Sequence, residues 1–172
     1  AYSFQNADEA DVLGLEMDVQ LSLGRITPAL QDFGFQGNYS WIDSEVSVRE
    51  GAGGFEPTNL QRPLEGQAPY VFNAGLTWAS PAGADASLFV NRFGDRLEAA
   101  GGGGIPDLYE KARTSLDATV GFPLAGGASA KLKATNLLDS DYLFEQEANG
   151  ITQVQRLYSA GRTFSVSLSW EF

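Results

Sequence analysis

Two carboxylates near the start of the chain have the spacing of a catalytic pair. Glu16 and Asp18 are two residues apart in an alternating segment, so on a strand they would share one face about 7 Å apart. That distance is compatible with acid–base cleavage of a glycosidic bond. No other residue nearby supports this chemistry, and we interpret the pair as part of a face that lines water.

A further group of acids has a spacing close to that of a calcium loop: Asp139, Asp141, Glu145 and Glu147. The EF-hand pattern is not met, because Phe144 occupies the position of its turn glycine and Gly150 that of its bidentate acid. We therefore expect a solvated strand end and loop here, and no metal site.

The glycine run Gly101–Gly104 has the composition of a phosphate-binding loop. Such a loop requires a following Lys-Ser/Thr pair and the start of a helix, and neither follows this run. We expect a flexible loop instead.

Composition excludes several other kinds of chemistry. The sequence has no histidine and no cysteine, which rules out the usual zinc sites, thiolate catalysis and a Ser-His-Asp triad within this chain. Its net charge is −11, from 22 acidic and 11 basic residues, whereas nucleic-acid binding needs a basic surface. We therefore expect none of these three kinds of site and no nucleic-acid partner.

The chain also lacks the usual marks of a helical membrane protein or a complete secreted one. No apolar run approaches the roughly 18 residues of a transmembrane helix. The chain begins with Ala1 and carries no signal peptide, so we expect a piece of a longer protein.

Alternation of apolar and polar side chains is clearest in the last ten residues, TFSVSLSWEF. Phe164 and every second residue after it are apolar, whereas Thr163 and every second residue after it are polar. Successive strand side chains point to opposite faces, so this pattern predicts a strand with one apolar and one polar face.

The same alternation predicts seven strands: Val12–Leu23, about Phe33–Val46, Tyr70–Ala79, Asp85–Leu97, Thr114–Leu124, Ala128–Leu138 and Thr163–Phe172. Most are about 10 to 13 residues long, a length that crosses a bilayer when tilted and exceeds the usual soluble strand. The facing of Asp85–Leu97 is left open, because Phe89 and Phe93 lie on the parity opposite to its other apolar residues.

Connections between the predicted strands alternate in length. Short turns are expected at Gly24–Asp32, Ser80–Ala84 and Ala125–Gly127, and long loops at Ser47–Ala68, Glu98–Arg113 and Leu143–Arg162. Short turns on one side and long loops on the other are typical of outer-membrane barrels.

The polar parity is rich in charged and amide residues: Glu16, Asp18, Gln20, Gln36, Asn38, Asn73, Asp117, Lys131, Lys133 and Glu171. Such a face is too charged for a packed interior. We therefore predict that lipid contacts the apolar face and water the polar one. Aromatic residues near the strand ends fit an interfacial belt: Tyr39, Trp41, Trp78, Trp170 and Phe172.

At the sixth strand the sequence resembles a known family. Residues 136–142, Asn-Leu-Leu-Asp-Ser-Asp-Tyr, resemble the Asn-Leu-Phe-Asp-x-x-Tyr signature near the end of TonB-dependent outer-membrane receptors. The segment from Gly161 to the terminal strand is similar to that family's C-terminus. The positions that carry the resemblance are Asn136, Leu137, Asp139, Tyr142, Gly161, Arg162 and Phe172.

The resemblance implies a fold and a function. The fold is all-β: an antiparallel up-and-down transmembrane β-barrel segment of about seven strands, from a larger barrel of the plugged 22-stranded kind. Residues 1–172 would be the C-terminal part of that barrel, without the plug domain and the earlier strands. The function implied is import of a scarce nutrient, such as an iron–siderophore complex, across a bacterial outer membrane with energy coupled through TonB. Import makes and breaks no bond, so the resemblance implies no catalytic residue, no cofactor and no enzyme activity.

The resemblance also implies partners. These are outer-membrane lipid and lipopolysaccharide, the missing plug and strands, TonB through the missing N-terminal part, and the barrel-assembly machinery through Phe172. Ligand-binding residues are unknown at this point. Five arginines in or beside the long loops are candidates to bind an anionic iron chelate, to bind lipopolysaccharide phosphates or to pair with neighbouring acids: Arg49, Arg62, Arg113, Arg156 and Arg162.

Two alternatives stay open from the sequence. One is a small self-contained outer-membrane barrel of eight strands, with Tyr2–Ala10 as an extra strand and a structural or adhesive role. The other is a soluble β-barrel binding module.

Overall fold

The computed structural model describes residues 7–49 and 56–170. Its main element is an antiparallel sheet, which we call the wall. The wall strands are β1 Glu9–Ser22, β2 Phe33–Ser47, β4 Tyr70–Ala79, β5 Asp85–Phe93, β8 Arg113–Pro123, β9 Ala128–Thr135 and β12 Thr163–Trp170. They pair in the order β1-β2-β4-β5-β8-β9-β12. A two-residue strand, β3 (Gln61–Arg62), adds to the end of β2. The predicted seven-strand up-and-down order is confirmed.

Strand register sorts the side chains of the wall into two faces. Asp18 of β1 is aligned with Asn38 of β2, and Asn38 with Asn73 of β4. The neighbouring row instead aligns Tyr39 with Phe72. One face is therefore polar from strand to strand and the other is apolar, as the alternation predicts.

The apolar face does not bury a core. Leu15 is 68% exposed in β1 and Val166 is 69% exposed in β12. A soluble sandwich would hide these side chains, because burying one is worth roughly 1.5–3 kcal/mol. Their exposure over several adjoining strands is what a lipid-facing wall requires, and the soluble alternative does not account for it.

The long connections that follow β5 and β9 contain more regular structure than predicted. The segments Glu98–Arg113 and Leu143–Arg162 were expected to be loops, yet they contribute to a second antiparallel sheet, the outer sheet, of order β11-β10-β7-β6. Its strands are β6 Arg96–Ala99, β7 Leu108–Glu110, β10 Tyr142–Ala148 and β11 Ile151–Tyr158. They follow the same order as the wall strands they continue, so the outer sheet extends the wall beyond its long-loop edge.

Two wall strands end earlier than predicted. The strand expected to reach Leu97 ends at Phe93, and the one expected to reach Leu138 ends at Thr135. Asn136 follows with a φ of 54°, a left-handed conformation that a strand cannot continue. Alternation alone does not predict such a backbone change in a residue other than glycine.

The open question about the facing of β5 is settled by its register. Phe89 pairs with Gly75 on one side and Asp117 on the other, which places it on the polar face. Its ring lies over Gly75, where a Cβ would come within 2.2 Å of the ring. The glycine therefore leaves space for the aromatic side chain.

Short connections lie at the opposite edge of the wall. The turn at Ser80–Ala84 is closed by a 2.7 Å bond from Ser80 N–H to the Ala84 carbonyl. The connection between β1 and β2 contains two 3-10 turns, Leu23–Arg25 and Pro28–Leu30, and the connection between β8 and β9 contains one, Ala125–Gly127. Within the described residues, no helix is long and apolar enough to cross a membrane.

The described part of the segment proposed as an eighth strand belongs to β1. Glu9 pairs with Ser47 and Ala10 with Val46, in the register of the rest of the strand. This end of the segment therefore extends the first wall strand instead of forming a separate one.

Candidate functional site at the outer rim

Where the wall meets the outer sheet, arginine and aromatic side chains form a continuous stack that we call the rim ladder. It consists of Arg96, Phe93, Arg113, Tyr142, Tyr158, Phe144 and Arg156. The guanidinium carbon of Arg113 lies 4.1 Å from the Tyr142 ring centre and 5.7 Å from that of Phe93. Arg113 pairs with Phe93 in the register, on the polar face. The ladder therefore lines the water side of the rim.

The rest of the ladder is held by stacking across both sheets. Tyr142 and Tyr158 are stacked with centres 4.7 Å apart and planes 6° apart. Arg156 covers the ring of Phe144 at 3.7 Å, and Arg96 covers that of Phe93 at 4.7 Å. Each such cation–π contact is worth about 0.5–1 kcal/mol when exposed and about 2 kcal/mol when desolvated.

Charge along the ladder is unevenly compensated. Arg96 is paired with the buried Glu110 at 2.6 Å, and Arg156 with Glu98 at 3.2 Å. Among the residues that the structure describes, Arg113 has no acidic partner, and its Nε is buried without a hydrogen bond. Arg113 is thus the uncompensated cation at the centre of the ladder.

A buried carboxylate ties the first two long connections together. Asp107 is 5% exposed and accepts bonds from Asn59 Nδ2 at 2.7 Å and from Gly101 N–H at 2.6 Å. The Gly101 carbonyl in turn accepts the N–H of Thr58 at 3.0 Å. The glycine run was expected to be a flexible loop; its first member is instead buried in this network.

A second clasp joins the wall to the outer sheet at Asp95. Its carboxylate accepts the Ala112 N–H at 2.6 Å and bonds the Lys111 ammonium. This hydrogen bond is the main reason that the pKa of Lys111 is raised, and Glu145, 3.9 Å away, adds to the effect. Burial is the main reason that the pKa of Tyr109 is raised, and the charge of Asp107 adds to it.

Five of the family-motif residues meet at one corner, above β9 and β12: Asn136, Leu137, Asp139, Gly161 and Arg162. Asn136 donates to the Gly161 carbonyl at 2.9 Å through its amide, and its own N–H bonds Asp117 at 3.0 Å. Arg162 donates to the Leu137 carbonyl at 2.9 Å and lies 3.8 Å from Asp139. These contacts fix the change of direction between the wall and the outer sheet.

The two remaining motif residues, Tyr142 and Phe172, do not lie at this corner among the described residues. Tyr142 leaves the corner and joins the rim ladder through Arg113 and Tyr158. Phe172 lies outside the described residues. The motif therefore connects the corner with the ladder, which the sequence alone did not reveal.

Below the ladder, the polar face carries a chain of amides. Asn91 donates to Asn73 at 2.6 Å, and Asn73 donates to Asn38 at 2.8 Å. This orientation satisfies each amide in turn and leaves the rest of the face available to water or to polar partners.

The candidate arginines are not brought together as a set. Arg113 and Arg156 lie in the ladder, whereas Arg49 pairs with Asp8 at 2.9 Å and Arg62 with Glu65 at 2.9 Å. Arg96 also belongs to the ladder, although it was not among the arginines proposed from the sequence: it covers the ring of Phe93, three residues earlier, and pairs with Glu110 of β7. No group of three or more acids, histidines or cysteines among the described residues is arranged to hold a metal ion. The ladder presents a guanidinium charge and aromatic rings, the groups with which anionic and planar solutes interact noncovalently.

Comparison with known proteins gives two findings. A family profile described as TonB dependent receptor-like, beta-barrel, matches residues 1–137. The iron-regulated outer membrane virulence proteins of two Vibrio cholerae O1 strains, classical O395 and El Tor N16961, are each 26% identical over 136 residues. That alignment covers 79% of this chain and 19% of each relative, so the chain corresponds to about a fifth of their length. No solved structure matches.

Proposed function

The chain belongs to the TonB-dependent receptor β-barrel family of the bacterial outer membrane, and from that premise we propose that it is the C-terminal part of a nutrient importer. Its seven wall strands would be the last seven of a barrel with about 22 strands and a plug. The long connections would face outward and the short turns the periplasm. This role involves binding and passage of a solute and no chemical step.

The observation that carries the proposal is the uncompensated Arg113 within the rim ladder. A guanidinium held between two rings is already oriented, so little side-chain entropy is lost when an anion binds it. Its partly desolvated position strengthens a charge-assisted hydrogen bond. We infer that Arg113 meets the negative charge of the imported solute at the mouth of the barrel.

An iron chelate is the proposed solute. The Vibrio cholerae relatives are named as iron-regulated. A ferric ion chelated by catecholate groups forms an anionic complex with planar rings. Planar groups can stack on Tyr142 and Tyr158 while their charge contacts Arg113.

Energy and assembly would come from parts outside this segment. Under the proposal, TonB acts through the N-terminal part of the full receptor and displaces the plug. The barrel-assembly machinery is proposed to recognise Phe172. The polar face of the wall, with its amide chain, would line the passage around the plug.

Uptake of radioactive iron tests the proposal. The full-length receptor is produced in a strain without its own ferric-chelate receptors, and ferric catecholates, hydroxamates and citrate are supplied separately. We expect uptake of at least one chelate, lost when TonB is deleted. Arg113→Gln should lower uptake at subsaturating chelate by about tenfold, the loss expected for one charge-assisted hydrogen bond.

Two further variants control for folding and charge. Arg113→Lys should be intermediate, because it keeps the charge without the planar stack. Lys131→Gln removes one charge from the same face far from the ladder and should behave as wild type. If surface-exposed wild type imports no chelate, the iron proposal is refuted; if Arg113→Gln imports normally, the ladder is not the contact.

A further inference from the structure

One cation interrupts the apolar face of the wall. Register aligns Arg92 of β5 with Phe72 of β4 and Thr114 of β8, in the same row as Tyr39. Its neighbours on that face along β5 are Leu88 and Val90. A charge on the lipid-facing side is costly unless it meets a partner, and such residues are rarely without a role.

The guanidinium of Arg92 is held by two hydroxyl groups. Its Nε donates to Tyr70 Oη at 3.1 Å, and its Nη1 donates to Thr114 Oγ1 at 2.7 Å. These bonds use neutral acceptors, and no acid among the described residues lies within ion-pair distance of Arg92. The side chain is oriented, exposed and still carries an uncompensated positive charge.

The depth of the Arg92 side chain in the membrane can be inferred from the aromatic residues on the same face. Tyr70 and Trp78 lie on the apolar face of β4, eight residues apart, which is about 26 Å along an extended strand and about 20 Å once tilt is included. This span is close to the apolar band of an outer-membrane barrel, about 25 Å tall. Arg92 reaches the ring of Tyr70, so its charge lies at the outer boundary of that band.

We propose that Arg92 binds a phosphate group of the phosphorylated glycolipid in the outer leaflet. A guanidinium matches the fork geometry of a phosphate, and the hydroxyls of Tyr70 and Thr114 fix its orientation. The neighbouring apolar side chains, Phe72 and Tyr39, would contact the acyl chains of the same lipid. The site lies on the opposite face of the wall from Arg113 and does not depend on which solute is imported.

The test is lipid binding by the full-length receptor in detergent, measured by native mass spectrometry. The probes are a diphosphorylated lipid A and the same lipid without its phosphates, at equal concentration. Wild type should prefer the phosphorylated lipid, and Arg92→Gln should reduce that preference at least about tenfold. Arg92→Lys should retain part of it.

Lys133→Gln is the matched control, since it removes one charge from the polar face of the same wall. Its preference should equal that of wild type, and unchanged heat-modifiable migration in gels should show that each variant is folded. An unchanged preference in Arg92→Gln overturns the proposal. Loss of the preference in wild type when inorganic phosphate is added at the same concentration as the lipid also overturns it, because the site would then bind a free anion as well as it binds the lipid.

Discussion

The buried ion pair of the outer sheet should control how firmly that sheet is held. Glu110 is 3% exposed, and its Oε2 accepts Arg96 Nε at 2.7 Å and Nη2 at 2.6 Å. Glu110→Gln keeps the shape of the side chain and removes the charge. The Arg96 side chain is 36% exposed, so water can solvate part of the charge that loses its partner.

Glu110→Gln should lower the free energy of opening of the outer sheet by less than the loss of a fully buried ion pair would. Removal of one partner of such a pair costs about 3–5 kcal/mol, and partial hydration of Arg96 lowers this to about 2–3 kcal/mol. The matched control is Glu98→Gln in the pair with Arg156, whose side chains are 40% and 50% exposed. That change should cost less than about 1 kcal/mol.

Hydrogen exchange of the full-length receptor measures the difference directly. If the outer sheet opens as a unit, about 2–3 kcal/mol corresponds to about 25- to 150-fold faster exchange in β6 and β7. Glu98→Gln should change it less than about fivefold, and β12 should not change in either variant. In an Arg96→Gln background, Glu110→Gln should add little. Equal effects of the two glutamate variants would refute the role of burial.

Three further outcomes are expected. Gly101→Ala should lower the free energy of opening of the outer connections by about 3 kcal/mol or more, because its Cβ would lie 2.0 Å from a backbone carbonyl oxygen. Gly103→Ala has open space around its Cβ and a φ of 62°, so it should lower the same free energy by only about 1–2 kcal/mol in the same exchange assay. Gly75→Ala should lower the thermal stability of the folded receptor unless Phe89→Ala is present, since the Cβ displaces that ring. The pKa of Lys111 is raised above 10.5, so its clasp should be fully stabilising below that pH and lost as pH rises through the folded-state value; Lys111→Met should abolish this alkaline loosening, measured by protease cleavage.

The wall was predictable because its signal is local and repeated. The alternation from Leu13 to Leu21, or from Phe164 to Trp170, can be read from each strand by itself, without knowing its partner strand. A shift of the strand register by one residue would move every side chain to the opposite face, so the pattern also fixes which face is apolar. The outer sheet was not predictable by the same means. Two of its strands, β6 and β7, have only four and three residues and are too short to show a period. The other two, β10 and β11, have seven and eight residues but do not alternate, because YLFEQEA and ITQVQRLY place apolar side chains on both parities.

The candidate site was predictable only in part, for a related reason. Arg113 was a candidate from its place beside a long connection, but its partners Phe93 and Tyr142 come from other strands. Sequence gives no register between such strands, so the ladder appears only once they are paired. The same holds for Arg92, whose charge is informative only because the register puts it on the apolar face.

Pairing divides the rim arginines into those that hold the structure and the one available for binding. Arg96 and Arg156 are neutralised by Glu110 and Glu98, and both acids belong to the outer sheet. Their charge stabilises the extension of the wall and attracts a passing anion only weakly. Arg113 has no such acid among the described residues and is held by rings, which orient it without cancelling its charge. Order at the rim and attraction for an anion therefore arise from different residues, and either can change without the other.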